Sequence, residues 1–165
     1  LWLYGVMTVV FSAVLNNVTA MIIVGSLTAV SLGRLERNDK LLGFLLVEGL
    51  LTNLGGLLTL ISSVPNIIVG TAAGISFFAF FAKASWFVLV STVVTLWMGA
   101  RIFGISGLAD ADARAKAMKL VSGFDENDGI ESQAFFWFAA AMLALFIVAI
   151  ATTSVMPYEI GRAHV

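Results

Sequence analysis

The chain has 165 residues, of which 60% are hydrophobic and only 12% charged, and its formal net charge is −1. Soluble domains carry about a quarter charged residues, and the apolar runs here exceed the ~20 residues that cross a bilayer, so the composition reads as an all-α polytopic membrane protein. The absence of cysteine excludes disulfides, thiol nucleophiles and cysteine metal sites. The charge balance gives no case for nucleic acid.

Residues 1–33 carry no charge. As one helix they would reach roughly 50 Å, far beyond a hydrocarbon core of about 30 Å. Asn and Thr favour caps and turns, so Asn16-Asn17-Val18-Thr19 is the expected break. It would leave two arms of about 15 residues, each too short to span the bilayer alone, and a re-entrant helical hairpin over 1–33 fits. A single tilted helix is the alternative. Ser12 and Asn16, four residues apart, would share a face.

A polar loop, Arg34–Lys40, precedes a second long apolar run over 41–82 whose only acid is Glu48. It reads as a broken transmembrane helix: a half-helix over 41–53, an unwound middle over 54–65 and a second half-helix over 66–74. An aromatic segment, 75–82, would approach the interface, with Lys83 snorkelling there. Residues 84–103 form a clean span. Residues 104–133 form a polar connector with a surface helix whose acids (Asp110, Asp112) precede its bases (Arg114, Lys116, Lys119), as the helix dipole favours. The run Asp125–Gly129 fails the spacing of a calcium loop, because Gly129 stands where a ligand is needed. Residues 134–156 form the last span. Two crossings separate the basic loops 34–40 and 104–133, so the positive-inside rule makes both cytoplasmic. The chain starts without Met inside an apolar segment and reads as a piece of a longer protein. Residues 159–165 read as a translated sequencing adapter, which removes the single histidine, His164, from consideration.

Two polar groups interrupt these apolar runs. Asn16, Asn17 and Thr19 at a hairpin tip would present the N-terminus of the second arm to an anion, and oxygens to Na⁺. The other reading is interhelical glue. In the unwound middle, Gly55 and Gly56 permit close backbone approach, Pro65 removes a donor, and Asn66 would cap the second half-helix. Thr52, Asn53, Thr59, Ser62 and Ser63 add neutral polar groups of the kind that hold hard cations. The other reading is a packed Gly/Pro kink. Glu48 shares a helix face with Thr52 and then Gly55 or Gly56. It could carry a proton, balance a cation, or be a hydrogen-bonded structural carboxyl.

The segments NNVTAMI and E-x-x-x-x-N-L-G-G-x-x-T-x-I-x-x-x-P-N-I-I-V-G resemble the ion transporter superfamily. This group contains citrate-type permeases, divalent-anion/sodium symporters, arsenite permeases, NhaD-type Na⁺/H⁺ antiporters and the melanosomal P protein. The match covers 1–103 and is sharpest over 12–74. The resemblance implies one repeat of an inverted-repeat transporter, a homodimer with an elevator-like motion, and a site shared with a second repeat. Asn16, Asn17 and Thr19 would be the hairpin tip; Asn53, Gly55, Gly56, Thr59, Pro65 and Asn66 would form the broken-helix loop. Na⁺ would fall near Asn17, Thr19, Asn53 and Thr59. Relatives often read G-D-P-P-N where this chain has Ser62-Ser63-Val64-Pro65-Asn66, so carboxylate-based exchange at this loop is weakened.

The expected function is ion-coupled secondary transport of a small anion with Na⁺ or H⁺, in a bacterial or archaeal plasma membrane. The alternatives are a Na⁺/H⁺ antiporter and a non-transporting scaffold subunit. No nucleophile–base pair, metal cluster or nucleotide loop points to an enzyme, and no cofactor beyond the coupling ion is expected.

Overall fold

The computed structural model describes residues 1–105, 115 and 132–153. The expected surface helix, the Asp125–Gly129 run and the 159–165 tail lie outside them. The described residues form helices α1 (Trp2–Val14), α2 (Asn17–Arg34), a 3₁₀ turn (Asn38–Lys40), α3 (Leu41–Gly55), α4 (Val64–Ala72), α5 (Phe77–Ile102) and α6 (Gln133–Thr153), with no strand among them.

The first apolar run breaks where its Asn residues stand. Leu15 and Asn16 are both extended (ψ 164° and 156°), and Asn16 caps α2 by accepting from the Thr19 backbone N–H at 2.8 Å. Tyr4, near the start of α1, donates to Ser31, near the end of α2, at 2.6 Å, so the arms fold back on each other. They are unequal: α1 has 13 residues, while α2 has 18 and is long and apolar enough by itself to cross a membrane. Because α1 stops at Val14, Ser12 and Asn16 do not share a helix face; the partner of Ser12 is Asn17.

The second run breaks two residues later than expected. α3 continues through Gly55, and α4 already starts at Val64. Pro65 lies inside the first turn of α4, where its missing N–H has no helical partner to lose. Ser63, not Asn66, occupies the N-cap position. The aromatic segment 75–82 is not separate from the following span. Ser76 caps a 26-residue helix by accepting from the Ala79 N–H at 3.2 Å, and Lys83 sits within it. At about 39 Å, α5 exceeds the hydrocarbon thickness. Gly74 (φ 62°) and Gly104 (φ 57°) end α4 and α5 in the left-handed conformation that closes helices with least strain.

α3 lies at the centre, packed against α1, α2 and α5. It runs parallel to α1: Tyr4 meets Phe44 edge-on, and Ser12 meets Thr52. It runs antiparallel to α5: Lys40 reaches the Phe103 carbonyl, and Val47 packs on Gly99. The start of α3 and the end of α5 therefore share one end of the bundle, with Arg34, Arg37, Lys40 and Arg101 near it. The apolar core is small, built on Val9, Val47, Leu51, Val88 and Leu96.

Candidate functional site

The hairpin tip and the helix break meet. The Ser12 hydroxyl, fully buried at the end of α1, lies 2.5 Å from the Thr52 carbonyl and 2.8 Å from Asn17 Oδ1. Asn17 Nδ2 donates to Asn53 Oδ1 at 3.2 Å, and Asn53 Nδ2 donates to the Gly49 carbonyl at 3.0 Å. Thr59 Oγ1 donates to the Ala13 carbonyl at 2.5 Å, satisfying an acceptor left free where α1 ends.

Two glycines make this approach possible. A Cβ on Gly55 would lie 2.5 Å from the Val9 carbonyl oxygen, and one on Gly56 would lie 2.5 Å from Asn17 Oδ1. The Gly55 contact is with backbone that cannot yield, so there the main chain itself forms the wall between tip and break. The Gly56 contact is with the end of the Asn17 side chain, which a new Cβ would push away from Ser12 and Asn53. The loop is then tied by its own amides and hydroxyls. Asn66 Nδ2 lies 2.8 Å from the Gly56 carbonyl and 2.9 Å from that of Thr59, and Ser62 Oγ lies 2.5 and 2.9 Å from the same two oxygens. Asn66 thus binds loop carbonyls and does not cap α4.

Asn17, Thr52, Asn53, Gly55, Gly56, Thr59, Ser62 and Asn66 fall into one network. Asn16 and Thr19 stand at its edge as the cap of α2. Ser63 and Pro65 open α4. Ser12 joins this network although the sequence reading left it out of its site; its signal was a hydroxyl one turn before an Asn pair. The C-termini of α1 and α3 and the N-terminus of α2 converge here, so helix-end carbonyls lie beside side-chain hydroxyls and amides with no charged side chain in the hydrogen-bond network.

One turn below Thr52, Glu48 is fully buried and accepts from the Thr28 hydroxyl of α2 at 2.6 Å, while its Oε2 has no hydrogen-bond partner. Its contact is therefore sideways to α2, away from the glycines. Among the described residues, no group of three or more His, Cys, Asp or Glu could hold a metal.

Polar groups buried along helix seams, with Leu, Val, Phe and Trp turned outward among the described residues, define an all-helical membrane protein. The citrate transporter family profile matches residues 1–163, and the chain belongs to that family. It is 32% identical over 138 residues to uncharacterized transporters of Mycobacterium bovis and Mycobacterium tuberculosis, covering 84% of this chain and 30% of each relative. It is 31% identical to a 46 kDa membrane protein of Mycobacterium leprae, over 84% of this chain and 31% of that protein. The chain thus spans about a third of the length of these relatives. No solved structure matches it.

Proposed function

We propose that this chain is one repeat of an ion-coupled secondary transporter that moves a small anion of the citrate class with Na⁺ or H⁺. The observation that carries this reading is the Ser12–Asn17–Asn53 junction, which joins a helix-reversal tip to a helix break. Discontinuous helices of this kind build midplane sites: N-termini favour the substrate's negative groups, and C-terminal carbonyls favour the coupling cation. Placement fits. α3 rises only about 22 Å from the basic end to its break, so a bilayer that α5 crosses puts the junction within the hydrocarbon depth. The hairpin is then re-entrant, and the basic end faces the cytoplasm of a bacterial plasma membrane.

In this reading Asn17, Asn53, Thr59 and the edge residue Thr19 supply oxygens to Na⁺, a second repeat completes the site, and the transporter works as a homodimer. Membership of a transporter family and the neutral, hydrogen-bonded site argue against enzymatic chemistry. The buried Glu48 favours one rival within the same class, a Na⁺/H⁺ antiporter. Acidification driven by Na⁺ without any organic anion would select it.

The test is uptake of labelled citrate by the full-length protein in proteoliposomes. Asn17→Ala and Asn53→Ala are expected to lower uptake about tenfold or more, the loss of roughly one charge-assisted hydrogen bond at the site, with membrane insertion intact. Wild-type uptake in both variants overturns the proposal.

A further inference from the structure

A file of polar side chains runs along the seam of α1, α2 and α3 at one-turn intervals. Tyr4, Thr8 and Ser12 recur every four residues on α1, Glu48 and Thr52 stand four apart on α3, and Thr28 and Ser31 stand three apart on α2. Tyr4 donates to Ser31 at the basic end, Thr28 meets Glu48 in the middle, and Ser12 meets Thr52 and Asn17 at the junction. Tyr4 pairs with Phe44 and Ser12 with Thr52, so Thr8 stands level with Glu48; its hydroxyl is committed to the Tyr4 carbonyl at 2.8 Å. Thr8, Thr28, Ser12 and Glu48 are all fully buried.

Glu48 is the one ionisable member of this file buried in the seam. The charged groups on the elements packed against it are few among the described residues. α1 carries none. α2 carries Arg34, six residues past Thr28 and about 9 Å further along the axis. α5 carries Lys83 and Arg101, and Arg101 lies over the Trp97 ring, 5.3 Å from its centroid. A buried carboxylate with one hydroxyl partner and an empty second oxygen leaves much of its hydration uncompensated. A neutral acid at the same place leaves only a carbonyl-type oxygen unpartnered, and the 2.6 Å contact with Thr28 serves with Glu48 donating. Na⁺ would need a shell of several oxygens; the carboxyl's hydrogen-bonding neighbour is the Thr28 hydroxyl alone, which suits a proton.

We infer that Glu48 is a proton-binding residue of the transport cycle, packed as the neutral acid between α2 and α3, and that it releases its proton to water only when α2 parts from α3. The carboxylate left behind needs that water, so the seam cannot close again until a proton returns. Protonation is thereby tied to whether the hairpin arm is docked on the broken helix. This rests on the transporter reading given above.

Two measurements on the full-length protein test it, and the first does not depend on transport. Infrared difference spectra over a pH titration should show a protonated-carboxyl band in the wild type that disappears in Glu48→Gln and shifts in Thr28→Val. Absence of that band, or its persistence in Glu48→Gln, overturns the inference whatever the substrate is. The second measurement uses labelled citrate in proteoliposomes. One proton per cycle makes a one-unit pH gradient support about tenfold accumulation. Glu48→Gln should exchange citrate yet accumulate none, while Glu48→Asp, which keeps the carboxyl, should restore accumulation. Undiminished accumulation in Glu48→Gln removes Glu48 from coupling and leaves the transporter reading intact. Failure of wild-type citrate uptake alongside an intact Glu48 band strikes that reading instead, and with it the role in a cycle, but not proton binding.

Discussion

The inner helices α1–α3 and the outer helix α5 are both strongly apolar in sequence, yet they use their side chains in opposite ways. Seven of the polar residues that α1–α3 and the α3–α4 loop contribute are buried (Thr8, Ser12, Thr28, Glu48, Thr52, Thr59 and Ser62), while Leu3, Leu42, Leu50 and Val18 are exposed. α5 buries little beyond Val88, Thr92, Leu96 and Gly99, and turns Phe78, Phe87 and Trp86 outward. Lipid gives no hydrophobic drive for helices to associate, so close packing and interhelical hydrogen bonds must do it. The inner group has both. α5 has chiefly close packing, Gly99 against Val47 and Leu96 against Gly5.

The largest effect should come from filling the space between tip and break. Gly55→Ala sets its new Cβ against the Val9 backbone, which cannot rotate away. A cost of about 1–3 kcal/mol and near-background citrate uptake are expected, read by thermal unfolding of the solubilised full-length protein and by proteoliposome uptake. Gly49, on the same helix, has nothing within 4 Å of a new Cβ. Gly49→Ala should be neutral or stabilise by up to about 1 kcal/mol. Equal losses in the two variants would mean that α3 tolerates an added methyl nowhere along its length and that the junction has no special role.

Hydrogen bonding across the inner seam should come next. Thr28→Val removes the partner of Glu48 and should cost about 1–2 kcal/mol, within the range for interhelical bonds in membranes. In Thr28→Val/Glu48→Leu neither polar group remains to be satisfied, so the double variant should cost less than the sum of the singles. Strict additivity in unfolding measurements would show that the two side chains do not interact.

The difference between inner and outer helices was only partly legible in the sequence. The two breaks were visible because Asn, Gly and Pro are poor helix residues wherever they stand, and the capping by Asn16 follows from its side chain alone. The pairing of tip with break followed from resemblance, and its atomic form from neither source: that Asn17 rather than Asn16 faces Asn53 depends on α1 ending at Val14, a one-turn matter no local signal sets. Asn66 read as a cap because Asn caps helices well. The folded loop offered it two carbonyls instead, a tertiary competitor invisible in sequence. Thr28, and the true partners of Ser12, were hidden for the same reason, since a lone hydroxyl in an apolar run acquires meaning only from the helix opposite. The merged α5 was missed because Lys83 was read as a boundary, although an exposed Lys is tolerated inside a helix whose ring of Phe and Ala neighbours continues unbroken.

The smallest expected effect probes the outer surface. Phe87 on α5 is 73% exposed. If lipid covers it, Phe87→Leu exchanges one apolar group for another and should change stability by no more than about 0.5 kcal/mol, with citrate uptake unaltered. Phe87→Asp should still impair insertion, since an acid near the middle of a spanning helix costs about 3 kcal/mol. The informative result is a large loss in Phe87→Leu. Lipid tails do not discriminate between Phe and Leu at that level, whereas a packed protein partner does, because its shape is matched to one ring. Such a loss would make this face of α5 an interface with another part of the full-length protein or with a second copy. The contrast between a polar inner seam and a lipid-facing outer helix would then hold for α6 alone.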